Sequence, residues 1–164
     1  MFITLSKSYL ILNESDLKEG DGTHCLVFNL KDDNTEPVVI EWPPTIVNSD
    51  AGDEKAKKPQ ANRIVCGCVS PSEDYIALCD DGKNLVVFNR QLEPIRSFVV
   101  KRATSKILFR NDEKAILSCD KSGDVYEYDF SDSESSENTD KLLLGHCSML
   151  LDFTMTADSR LIIR

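Results

Sequence analysis

The chain has 164 residues, of which 29% are charged and 41% hydrophobic, and its formal net charge is −9. No stretch approaches the roughly 18 consecutive apolar residues of a membrane-spanning helix. A balance this acidic also argues against a surface that binds nucleic acid mainly by itself, because neutralising phosphates with Lys and Arg supplies most non-specific affinity. The amino-terminal MFITLSKSYLILN has no basic region ahead of its apolar residues and is interrupted by Lys7, which argues against a secretory signal.

In chain order, ITLSKSYLILN, THCLVFN and PVVIEW read as the strands of a degenerate opening unit, separated by the polar loop Asn13 to Thr23. The excursion Asn48 to Asn62, NSDAGDEKAKKPQAN, has the Gly, Lys, Asp and Pro usage of an unstructured loop. Its Lys55, Lys57 and Lys58 form a short basic cluster of the kind that serves as a nuclear import signal, although most such clusters are ordinary charged loops. From Ile64 the pattern sharpens: IVCGCV, YIALC, LVVFN and IRSFVV are short apolar runs rich in Val and Ile, bounded by SPSED, DDGKN and a loop carrying Pro94. Runs of this length between Ser, Asp, Gly and Pro clusters are strands. TSKILF, AILSC, VYEYDF and KLLL repeat the order, with the acidic SDSESSENTD (Ser131 to Asp140) before the last. That run reads as a solvated loop, with phosphorylation of Ser131 and Ser133 as the alternative. After Gly145-His146, a third unit opens with SMLLDF, turns at TADSR and enters LIIR.

Sliding the chain by 40 positions lays Ser70 to Arg90 on Arg110 to Phe130 without a gap, placing Ile76 on Ile116, Cys79 on Cys119, Asp80 on Asp120, Leu85 on Val125 and Phe88 on Tyr128. A period of roughly 40 to 45 residues with four strands per unit is that of a WD-type propeller blade. The expected fold is therefore all-β, a partial WD-repeat β-propeller of about three blades: residues 1–62 a degenerate first blade, 63–103 and 104–144 two WD-like blades, and 145–164 the start of the next. Propellers close with typically four to eight blades, so the chain reads as the amino-terminal part of a longer protein or a truncated product. An unclosed stack exposes a strand edge and an apolar blade face, so the chain alone is expected to be largely insoluble.

Catalytic chemistry is hard to assemble from these residues. His24 and His146 are the only histidines; Cys147 adjoins His146, but adjacent residues on an extended segment point to opposite sides. Cys66 and Cys68 lack both the usual zinc spacing and a second ligand pair, and no phosphate-binding loop, GxSxG or dinucleotide fingerprint occurs. Cys25, Cys66, Cys68, Cys79 and Cys119 lie in strand patterns and read as buried, reduced thiols. No catalytic, cofactor-binding or metal site is expected.

DKSGDVYEYDF (Asp120 to Phe130), followed after the acidic loop by LLLGHCSMLLDFTMTADSRLI (Leu142 to Ile162), closely resembles the WD-repeat non-catalytic subunit of the tRNA (guanine-7)-methyltransferase, called Wuho in insects. YIALCDDGKNLVVF (Tyr75 to Phe88) is similar to that family's first well-formed repeat, and no Trp-Asp dipeptide occurs, Trp42 being followed by Pro43. The resemblance implies a nuclear or cytosolic scaffold that forms a heterodimer with a separate catalytic subunit. That partner carries S-adenosylmethionine and methylates a guanine in the tRNA variable loop, and it supplies most of the tRNA contact. On the matched motif, Lys121 is the expected ion-pair donor to an acidic group of the catalytic subunit, with Asp120 bracing its loop; Lys101 and Arg102 are candidate local tRNA contacts. For Asp120, Ser122, Gly123 and Asp124 the simpler reading is a tight hairpin in which Gly supplies a positive φ and Asp bonds nearby backbone. The competing functional readings are a general WD scaffold in another complex and a propeller hydrolase, the latter needing a catalytic cluster in the central channel.

Overall fold

The computed structural model describes residues 3–13, 23–31, 36–42, 62–130, 140–145, 150, 152–158 and 160–163, and these contain strands and turns but no helix. The first sheet comprises β1 (Ile3–Leu5), β2 (Tyr9–Asn13), β3 (Thr23–Asn29) and β4 (Val38–Trp42). The second comprises β5 (Ile64–Val69), β6 (Ile76–Asp80), β7 (Asn84–Phe88) and β8 (Pro94–Val99). The third comprises β9 (Thr104–Phe109), β10 (Ala115–Asp120), β11 (Val125–Asp129) and β12 (Asp140–Leu144), and β13 (Phe153–Met155) and β14 (Leu161–Ile163) make a final hairpin. Neighbours in each sheet are antiparallel and follow chain order. These are stacked, unclosed blades of a propeller.

The sequence pattern of the second blade follows from burial on both faces. Along β6 and β7, Ile76, Leu78, Val86 and Phe88 pack against Ile11, Val27, Ile40 and Trp42 of the first blade. The alternate side chains Ala77, Cys79, Leu85 and Val87 pack with Ile107, Phe109, Ile116 and Tyr128 of the third. A strand covered on both sides has no solvent face to make polar, so IALC and LVVF read as continuous apolar runs. Complete burial of each Ile or Leu here contributes about 1.5 to 3 kcal/mol, and Phe98 meets Tyr128 across the second junction with ring centroids 5.6 Å apart. The third blade buries Leu117, Cys119 and Val125 against Leu150 and Phe153.

Two local readings change. ITLSKSYLILN is two strands rather than one, because Ser6 Oγ accepts the backbone N–H groups of Ser8 (3.2 Å) and Tyr9 (2.9 Å) and turns the chain between β1 and β2. SMLLDF is not an opening strand in its described part. Leu150 enters the core outside any strand, and Asp152 accepts the Phe153 N–H at 2.8 Å, so that β13 begins only at Phe153. Lys55, Lys57, Lys58, Ser131, Ser133, His146, Cys147, Ser148 and Met149 lie outside the described residues.

At the end of the blades carrying the β1–β2, β5–β6 and β9–β10 turns, one contact recurs between neighbours. Glu73 (φ 67°) and Glu113 (φ 57°) occupy the same turn position, both left-handed. The Glu73 carboxylate accepts the Ser8 backbone N–H at 2.9 Å and the Ser8 hydroxyl, and Lys31 lies 3.3 Å away. Glu113 likewise accepts the Ser72 N–H and, at 2.6 Å, the Ser72 hydroxyl. Each blade thus clasps the turn of the one before it.

Candidate partner-binding site

The opposite end of the blades carries the β6–β7 and β10–β11 turns and the β8–β9 connection. Pairing of Asn84 with Val99 and of Thr104 with Asp120 brings these segments together. The β10–β11 turn is organised by Asp120, a buried residue whose Oδ1 accepts the backbone N–H groups of Ser122 (2.7 Å) and Asp124 (3.0 Å). Gly123 holds φ 98°, a region that L side chains rarely enter, and donates its N–H to the Asp120 carbonyl at 3.3 Å. In the preceding blade the equivalent position is Lys83 at φ 73°, and Gly82 there lies so close under Asn62 that an added Cβ would stand 2.0 Å from Nδ2.

Lys121 projects from this turn into solvent and makes no ion pair or side-chain hydrogen bond among the described residues. Its counterpart, Asp81, is committed within the chain, accepting the Arg63 N–H at 2.9 Å. Lys101 and Arg102 lie beside the turn, but both meet carboxylates: Lys101 Nζ is 3.2 Å from Asp140, and Arg102 stands 3.5 Å from Asp124 Oδ2 and 4.0 Å from Asp120 Oδ2. Both retain more than half of their side-chain exposure. The structure therefore brings Asp120, Lys121, Lys101 and Arg102 to one end, where neither Lys121 nor Lys83 of the β6–β7 turn, which donates to the Lys101 carbonyl at 3.3 Å, meets a carboxylate among the described residues.

Sequence reasoning missed the partners of the buried carboxylates. Asp80 Oδ2 accepts the Trp42 indole N–H (2.9 Å) from the neighbouring blade and the Asn84 side-chain amide (2.7 Å), while its Oδ1 accepts the Asn84 backbone N–H (2.7 Å). The 40-residue alignment puts Asp124 on Asn84. That exchange of an amide for a carboxylate was the available signal that the two turns differ in charge.

Among the described residues, no group of three or more His, Cys, Asp or Glu side chains is placed to hold a metal ion. The five thiols Cys25, Cys66, Cys68, Cys79 and Cys119 are buried and unpaired by disulfides. Burial pushes Cys25 up to about 12 and raises Cys68 and Cys119, whereas Cys66 is raised first by its hydrogen bond to Cys79 and then by burial. Thiols so disfavoured as thiolates are poor nucleophiles.

The family profile described as "tRNA methyltransferase TRM82 WD40 domain" matches residues 28–141. The chain belongs to this family. The non-catalytic subunit wdr4 of tRNA (guanine-N(7)-)-methyltransferase from Xenopus laevis is 40% identical over 105 residues, 63% of this chain and 26% of the relative. The human subunit WDR4 is 34% identical over 115 residues, 68% of this chain and 27% of the relative. The subunit wuho of Culex quinquefasciatus is 31% identical over 128 residues, 74% of this chain and 31% of the relative. The chain spans between about a quarter and a third of the length of these curated relatives. All three are named as non-catalytic subunits.

Proposed function

We propose that this protein is a non-catalytic scaffold that binds and stabilises the catalytic subunit of a tRNA 7-methylguanosine methyltransferase, working as a heterodimer in the nucleus and, secondarily, the cytosol. The catalytic subunit holds S-adenosylmethionine and contacts most of the tRNA, and a guanine of the variable loop is methylated there. A rigid stack of blades suits this division of labour. Turns fixed at a blade end hold a partner's mobile segments in one arrangement, raising the fraction of partner that is competent to react.

The observation that carries this reading is Lys121, an exposed cation with no carboxylate partner among the described residues, on a turn whose conformation is held by the buried Asp120. It is proposed to pair with an acidic group of the catalytic subunit, Asp120 acting only by shaping the turn. Lys101 and Arg102 are proposed to reach a tRNA phosphate only by exchanging their carboxylate neighbours Asp140 and Asp124 for it. The test is co-purification of full-length Lys121→Glu with the catalytic subunit at raised salt, together with 7-methylguanosine in tRNA from cells carrying that variant. Reduced recovery and reduced modification are expected; unchanged recovery removes Lys121 from the interface.

A further inference from the structure

The two aligned turns solve the same electrostatic problem by different means. In the second blade, buried Asp80 is surrounded by neutral donors: the indole of Trp42 at 2.9 Å and the amide of Asn84 at 2.7 Å, both on Oδ2. In the third blade the equivalent Asp120 is buried too, yet its Oδ2 has no hydrogen-bond donor among the described residues. The residue aligned with Asn84 is Asp124, which has no N–H to offer from its side chain and brings a second negative charge. Two carboxylates side by side, one of them buried, require a nearby cation. The cation in place is Arg102, whose Nη1 lies 3.5 Å from Asp124 Oδ2 and whose Nε lies 4.0 Å from Asp120 Oδ2. Arg102 belongs to the β8–β9 connection, so its guanidinium ties that connection to the turn bearing Lys121.

We propose that Arg102 is a positioning residue for partner binding, bridging Asp120 and Asp124 so that the β10–β11 turn holds Lys121 in one orientation. Its importance for binding rests on the proposed contact between Lys121 and an acidic group of the partner, but its bridging of the two carboxylates does not. The planar fork of the guanidinium faces both carboxylates at once, which a lysine ammonium does not reproduce.

The repeat itself supplies the compensating change. Asp124→Asn gives the third blade the amide that Asn84 supplies in the second, able to donate to the orphaned oxygen of Asp120 while removing one negative charge. The experiment compares full-length wild type, Arg102→Met, Asp124→Asn and the double variant, with Lys121→Glu as a control. It measures amide hydrogen exchange at Ser122 and Asp124 in the free protein, and the dissociation constant for the purified catalytic subunit. Arg102→Met is expected to speed exchange at those two amides and to weaken partner binding about fivefold, the scale of one exposed ion pair. Adding Asp124→Asn is expected to restore both towards wild type. Unchanged exchange in Arg102→Met, or faster exchange that Asp124→Asn fails to reverse, overturns the bridging role. If exchange responds as expected but neither Lys121→Glu nor Arg102→Met alters binding, the positioning proposal is overturned through failure of the Lys121 contact, while the bridge stands. If Lys121→Glu weakens binding and Arg102→Met speeds exchange without weakening it, the Lys121 contact stands and the positioning role is overturned.

Discussion

Replacing Asp80 with Ala is expected to cost far more stability than the same replacement at Asp120, although the two residues align across the repeat and are both buried. Asp80→Ala removes the acceptor of three hydrogen bonds, from the Trp42 indole (2.9 Å), the Asn84 amide (2.7 Å) and the Asn84 backbone (2.7 Å). The indole N–H is then stranded inside the junction between the first two blades, since Trp42 is only 4% exposed. At about 1 to 3 kcal/mol for a buried donor left unsatisfied and about 1 kcal/mol for each of the two bonds nearer the surface, the loss is about 3 to 5 kcal/mol. Asp120→Ala removes two backbone bonds at a solvent-facing turn and eliminates an oxygen that has no donor among the described residues, so its cost is about 1 to 2 kcal/mol. Urea unfolding of the soluble fraction, followed by far-UV circular dichroism so that variants lacking Trp42, the only tryptophan, are read in the same way, measures both. The double variant Trp42→Phe/Asp80→Ala should be less destabilised than the sum of the single changes, because either one already breaks the shared bond. Equal midpoint shifts for Asp80→Ala and Asp120→Ala, or strict additivity with Trp42→Phe, would refute the assignment of Asp80 as the inter-blade acceptor.

The Ser8 hydroxyl and, less strongly, the Ser6 hydroxyl, Lys31 and the Ser8 backbone N–H hold the Glu73 carboxyl down at about 2, below its ordinary value of 4.5. A depressed carboxyl contributes stability above the unfolded value that is lost as pH falls from about 4.5 through about 2, so Glu73→Gln should flatten the pH dependence of the unfolding midpoint in that window and leave its slope above pH 5 unchanged. Cys25, Cys66, Cys68, Cys79 and Cys119 should resist iodoacetamide at pH 8 in native protein, with all six cysteines labelled in urea by intact mass; rapid native labelling of those five would contradict their burial. Ile3 (58%) and Leu5 (70%) expose an apolar strip on β1, pointing away from the second blade that Thr4 meets through its bond to the Gly67 carbonyl. Leu5→Lys is therefore expected to raise the soluble fraction on expression, read by centrifugation and densitometry, and an unchanged fraction would place the aggregating surface elsewhere.

Local chemistry made most of the blade legible before any coordinates. The gapless 40-residue repeat, the short Val- and Ile-rich runs and the Ser, Asp and Gly clusters locate β5 to β11 to within a residue at most ends, because strand propensity and turn chemistry act over a few neighbours. The weaker opening was less legible, since the break in ITLSKSYLILN depends on the Ser6 hydroxyl capturing two backbone N–H groups rather than on any loss of hydrophobicity. What the sequence alone determined is a series of β-units with a turn presenting Lys121. Only the stacking of those units decided that Trp42 bonds Asp80 and that Glu73 and Glu113 clasp the preceding blades, while the pairing of β9 with β10 inside the third blade decided that Arg102 faces two carboxylates. The contacts between blades join residues 38 to 65 positions apart, and their partners are chosen by the offset between packed sheets, a quantity that no local periodicity contains.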